Sequence, residues 1–180
     1  SFALVSRDIS EASLSWDALT GGAEGYELRA SSDNFAGPAP VISSRTYNLA
    51  DNSLTVAGLE PNTLWYFRAG SLNSSGELNY SAALSTITKA NPAGLNNQIN
   101  PPIVTDKTTL AVYFFPLPLT PQGSACAGYV LQRSTRPFGE GSVITSSAAP
   151  AANNGRIGFD SLRPSTTYYL RLAPLNWDNP

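Results

Sequence analysis

Leu59-Glu60-Pro61-Asn62-Thr63-Leu64-Trp65-Tyr66-Phe67-Arg68 decides the fold, because the pattern occurs twice. The second copy is Leu162-Arg163-Pro164-Ser165-Thr166-Thr167-Tyr168-Tyr169-Leu170-Arg171, at an offset of 103 residues. Working outward, Gly25-Tyr26-Glu27-Leu28-Arg29 matches Gly128-Tyr129-Val130-Leu131-Gln132 at the same offset. So do Phe35 with Phe138, Leu54 with Ile157, and Asn73 with Asn176. Upstream, Leu14-x-Trp16 matches Val112-x-Phe114 at an offset of 98, which puts five extra residues between Phe114 and Tyr129. The chain is therefore two copies of one unit.

Each copy reads as all-β. Tyr26, Leu28 and Ala30 alternate with polar neighbours, and so do Leu54 with Val56 and Trp65 with Phe67 and Ala69. That period of two marks strands with one buried face. Turn formers separate them: Gly21-Gly22, Asp51-Asn52, Pro61-Asn62 and Ser74-Ser75-Gly76. Short strands at this spacing predict a two-sheet sandwich. In the first copy the pattern predicts strands at 2–8, 12–18, 24–31, 39–46, 53–58, 64–72 and 80–89. In the second it predicts 101–106, 109–116, 127–134, 142–147, 155–160 and 166–174. Residues 1–90 thus form one expected domain and 101–180 a second. The segment 91–100, with Pro92, Gly94 and four Asn, reads as a linker or the loose start of the next strand.

A Trp on the second strand, a Tyr on the third and Leu-x-Pro-x-Thr-x-Tyr entering the sixth resemble a fibronectin type III domain. The resemblance covers nearly the whole chain. It implies two tandem immunoglobulin-like β-sandwiches with strands A, B, C, C′, E, F and G, the second lacking its last strand G. It also implies a tyrosine corner, in which the strand F Tyr bonds back to the E–F turn. The second copy has that Tyr as Tyr168, whereas the first has Trp65, whose indole can donate but not accept. Trp16, Trp65, Phe114 and Tyr168 are the expected core aromatics. With strand G missing, residues 168–174 should form an open edge, filled by a continuing chain or by a neighbouring subunit. The Phe35-Ala36-Gly37 stretch and the Ser/Thr/Asn content resemble bacterial extracellular arrays more than animal receptor domains.

Composition restricts the chemistry. The 180 residues carry 13% charged side chains, about half the usual share. There is no His, no Met and one Cys, so Ser-His and Cys-His catalysis and His-ligated zinc are absent. A net charge of −2 with 11 unclustered Lys and Arg argues against nucleic acid as a partner. No apolar run has the length of a membrane span. No carboxylates stand where the fold would converge them, so the chain reads as non-enzymatic and without a cofactor or metal. Cys126, in the longer B–C loop, reads as a small, partly buried side chain rather than a reactive thiol or an intermolecular disulfide, since no Lys, Arg or His adjoins it to stabilise a thiolate.

Alternation along strand F turns Tyr66 and Arg68 outward, and Tyr169 and Arg171 likewise. Two readings are open for them. One is a protein- or glycan-binding face on the C′–C–F–G sheet, since exposed Tyr and Arg are enriched at interfaces. The other is local cover, with Arg68 pairing across to Glu27. Trp177, beside Asp178, starts the expected F–G loop and could stack on a sugar, anchor a partner or pack against a preceding domain. Asn73-Ser74-Ser75 and Asn79-Tyr80-Ser81 fit the glycosylation pattern. The expected partner is a protein or glycan at a cell surface, or a neighbouring copy of the chain. Three functions fit: an extracellular structural or adhesive repeat segment, a filament subunit whose open sheet a neighbour completes, and an accessory module of a secreted carbohydrate-active enzyme.

Overall fold

The structure is a computed structural model that describes residues 1–19, 21–139 and 141–177. The chain divides into two compact units, Ser1–Lys89 and Ala90–Pro180. The first unit contains β1 (Ala3–Arg7), β2 (Glu11–Ser15), β3 (Gly25–Ser31), β4 (Ile42–Thr46), β5 (Ser53–Ala57), β6 (Leu64–Leu72), β7 (Leu78–Tyr80) and β8 (Leu84–Ile87). One sheet has the order β1-β2-β5; the other runs β4-β3-β6-β7, with β8 also paired to β6. All these pairings are antiparallel. The single strand expected at 80–89 is two strands on one edge. β7 pairs with the far end of β6 at Gly70–Leu72, and β8 with its start at Leu64–Phe67. Between them Ser81 holds Ala69, donating its N–H to the Ala69 carbonyl at 2.8 Å and accepting the Ala69 N–H on its Oγ at 3.1 Å.

The second unit contains β9 (Ile103–Thr105), β10 (Leu110–Tyr113), a 3-10 turn over Gln122–Ser124, β11 (Gly128–Ser134), β12 (Thr145–Pro150), β13 (Arg156–Phe159) and β14 (Tyr169–Leu175). Its sheets have the orders β13-β10-β9 and β12-β11-β14. Among the described residues β14 pairs only with β11, so its outer edge has no partner strand. The expected linker is part of this unit. Asn96 donates to the Tyr113 carbonyl at 3.0 Å, Phe115 donates to the Gly94 carbonyl at 2.9 Å, and Leu95 bridges to Phe114. Those residues extend the edge beside β10 and do not touch β14's ladder.

Inward side chains of both sheets form each core. Leu14, Leu28, Ala30, Val56, Trp65 and Phe67 fill the first; Val112, Phe114, Cys126, Tyr129, Leu131 and Ile157 fill the second. Cys126 is buried there. A glycine opens strand C in both repeats because the neighbouring strand passes too close for a side chain. A Cβ on Gly25 would lie 2.3 Å from the Thr46 carbonyl oxygen, and one on Gly128 2.8 Å from that of Ala149.

Two of the four expected core aromatics are less buried than their alternation implies. Trp65 and Phe114 are 3% and 0% exposed, but Trp16 and Tyr168 are only half-buried. β2 ends at Ser15, so Trp16 sits past the sheet and packs on Tyr26 with ring centroids 5.4 Å apart. Phe114, its counterpart, shares its cluster with Ala90 and Ala93 and packs on Tyr129 at 4.5 Å. Tyr168 stands one residue before β14, whose outer edge has no described partner, where Trp65 in the first unit is covered by β8.

Candidate functional site

The expected face is the outer surface of the C′–C–F–G sheet, and the first unit builds it around Glu27. Glu27 is turned outward from β3 yet only 2% exposed, because Arg29 and Arg45 close over it. Arg45 donates through Nε to Oε2 at 2.5 Å, and Arg29 donates to Oε1. Burial pushes the Glu27 carboxyl up, but the two guanidiniums outweigh it and hold it below its ordinary value of 4.5.

Arg68 does not pair with Glu27. Its guanidinium lies over two rings, 4.0 Å from the Phe35 centroid and 3.9 Å from that of Tyr80. The ladder explains the choice. Arg29 and Arg68 stand directly opposite across β3 and β6, where like charges repel. Glu27 takes the charge of Arg29, and the aromatic faces take that of Arg68. The C–C′ loop delivers Phe35. Asn34 and Phe35 have φ of 57° and 61°, and the Asp33 carboxylate ties the loop by accepting from Ala39 N–H at 3.1 Å and from the Ser31 hydroxyl.

The second unit repeats the motif with one exchange. Arg171 lies 4.4 Å over the Phe138 ring, at the positions equivalent to Arg68 and Phe35. Opposite it stands Gln132 in place of Arg29, and Arg171 Nε donates to its Oε1 at 2.6 Å. Removing the like charge lets the pair bond directly.

Of the five residues picked out in the sequence, Arg68 and Arg171 thus occupy equivalent guanidinium-on-ring platforms. Tyr66 is half-buried on β6, Tyr169 is exposed on β14, and Trp177 is exposed two residues past β14. Asp178 lies outside the described residues. Asn79 is exposed, while the Asn73 side chain closes its own turn by accepting from the Ser75 and Glu77 N–H groups. The sequence reading passed over Phe35, Phe138 and Tyr80 as parts of this face. The two Phe were visible as a matched pair at the repeat offset, without any sign of what they touched. It also passed over Arg133, whose guanidinium lies 4.7 Å over Phe159 where the first repeat has the buried Ala30. Chemically, the face offers guanidinium donors backed by aromatic planes, suited to carboxylate, amide or sugar hydroxyl groups. Among the described residues it brings no acid–base pair together on a cleft.

The tandem of antiparallel sandwiches, with a corner residue bonded to each E–F turn, is an all-β immunoglobulin-like architecture of the fibronectin type III kind. One solved structure agrees with this fold. A two-domain fibronectin type III segment of chicken tenascin superposes with a TM-score of 0.50 at 13% identity, covering 98% of this chain and 90% of that one. A three-domain fragment (FN1–FN3) of chicken CNTN1 gives a TM-score of 0.44 at 13% identity, covering 99% of this chain and 62% of that one. No family model and no curated protein sequence matches the chain. No helix among the described residues is long and apolar enough to cross a membrane.

Proposed function

We propose that this chain is a non-enzymatic, extracellular structural or adhesive segment, of bacterial surface-array type, that works through repeated sandwich faces. The observation that carries the reading is the recurrence of one surface device in both repeats: Arg68 over Phe35 and Arg171 over Phe138. Neither pair fills a core, and a repeat used only as a spacer has no need to keep an Arg and a Phe in register on its outer face. Tyr66, Arg68, Tyr169, Arg171 and Trp177 are the proposed contact residues, and the partner is a surface protein or glycan.

Two measurements test it. Antibody raised to the chain should label intact cells of its source; signal only after permeabilisation overturns the extracellular assignment. Binding of the purified chain to those cells should fall when Arg68 and Arg171 are both changed to Ala, with the unfolding midpoint nearly unchanged. Binding that survives the double change removes these residues from the contact face.

A further inference from the structure

At one corner of the second unit the strand register of the first is kept and its chemistry is reversed. Arg133 stands opposite Thr145 on β12 and Leu170 on β14, as Ala30 stands opposite Ile42 and Phe67. At the repeat offset Arg163 replaces Glu60 and Arg136 replaces Asp33. The first unit fills this corner with apolar side chains: Ala30 and Trp65 are 0% and 3% exposed, and Ile42 packs against their cluster. The second leaves a cavity of about 420 Å³, lined among others by Arg133, Ser134, Thr145, Ser161, Arg163 and Tyr168. Its walls come from β11, β12 and the turn between β13 and β14, and β12 is the opposite edge of the sheet from the outer side of β14. Two guanidiniums line it, and no carboxylate is among its described lining residues.

Arg133 is fixed in place without a counter-ion. Its guanidinium lies 4.7 Å from the Phe159 centroid and 5.6 Å from that of Tyr168, so two rings hold the fork. Its Nη1 is enclosed and meets no acceptor among the described residues. A charged donor left this way destabilises the unliganded protein. Ser134, beside it, is 3% exposed, and its hydroxyl accepts from the Arg136 N–H at 3.1 Å, which leaves its proton to donate. In the first unit the matching proton goes to a carboxylate of the chain itself, Ser31 donating to Asp33. With Arg136 at that position, the second unit lacks the acceptor that the first supplies internally.

We infer that this cavity binds the carboxylate of a uronic acid residue in an acidic glycan. The carboxylate accepts from the Arg133 fork and the Ser134 hydroxyl, a planar acceptor against a planar donor. Arg163, exposed and lining the same cavity, adds a second positive charge. The Thr145 and Ser161 hydroxyls both donate and accept, as those of a sugar ring do. The Tyr168 ring offers an apolar face to the ring C–H groups. A phosphate, or the acidic side chain of a peptide, would use the guanidiniums and leave those hydroxyls unmatched. The volume stands at the small end of ligand pockets, which run from about 300 to 1,000 Å³. The site is separate from the Arg68 and Arg171 pairs on the outer face, so either can fail without the other.

The test titrates a trisaccharide ending in glucuronate into the isotope-labelled 180-residue chain at fixed ionic strength. NMR follows the Arg133 Nε–H and the amides of Ser134, Thr145 and Tyr168. Saturable shifts at these groups are expected, with affinity about tenfold or more above that for the same trisaccharide ending in uncharged glucuronamide. Arg133→Ala should cost a similar factor. So should Arg163→Glu, an exposed change that spares the fold, whereas Arg68→Ala should leave binding unchanged. Four results overturn the proposal. One is no saturable shift at these groups, and another is equal affinity for the glucuronamide form. The third is equal shifts from inorganic phosphate or from a Glu-containing peptide, which would make the cavity a general anion site or a peptide site. The last is binding that survives Arg163→Glu at full strength.

Discussion

The backbone N–H of Arg163 donates to the Tyr168 hydroxyl at 3.0 Å. The first repeat ties the same two positions together with the donor and acceptor exchanged: Trp65 Nε1 donates to the Glu60 carbonyl at 3.3 Å. An indole can only donate and a phenol can also accept, so each corner uses the backbone group its side chain can reach. Tyr168→Phe should therefore lower the stability of the second unit by about 1 kcal/mol, the net worth of one hydrogen bond. Urea unfolding followed by NMR signals of that unit checks it; an unchanged midpoint would show that the corner bond contributes nothing.

The core aromatics should rank by cover. Trp65→Ala and Phe114→Ala should each cost about 3–5 kcal/mol, since both side chains are buried in their clusters. Trp16→Ala should cost clearly less than Trp65→Ala, because Trp16 lies past the end of β2 and is half-exposed. Equal losses for Trp16 and Trp65 would contradict the placement of Trp16.

Glu27 should make the first unit sensitive to acid. Its carboxyl is held below 4.5 in the folded chain, so the unfolded chain binds the proton first as pH falls. The stabilisation is complete above the ordinary carboxylate range and is lost as pH drops through the lowered folded value. Glu27→Gln should be less stable than the parent at pH 7, with the gap closing below about pH 4. A gap that stays constant with pH would mean that Glu27 contributes through shape and hydrogen bonding and not through its charge.

Chelator should leave the thermal midpoint where it is. A bound ion would raise that midpoint by mass action, so a fall of several degrees on adding EDTA would reveal a metal that the sequence does not suggest.

The sequence by itself determined the strand pattern and its inward faces. Period-two alternation placed Tyr26, Leu28, Ala30, Trp65 and Phe67 inside, and all five are buried. Alternation is a property of the chain's own geometry, so it survives whatever the strand packs against. The repeat likewise told that Tyr26 and Tyr129 were equivalent, and their hydroxyls accept from Leu19 and Leu117 N–H at matching positions, at 2.8 Å and 2.5 Å. Only the tertiary structure decided which neighbours those faces meet. Arg68 could have reached Glu27; it stacks on Phe35 and Tyr80 because Arg29 and Arg45, brought in from β3 and β4, already hold the carboxylate. Trp16 kept the inward parity of its strand but lost its cover, because β2 stops one residue before it. Tyr168 kept the parity of Trp65 but not its burial, because burial depends on a neighbouring strand and parity does not.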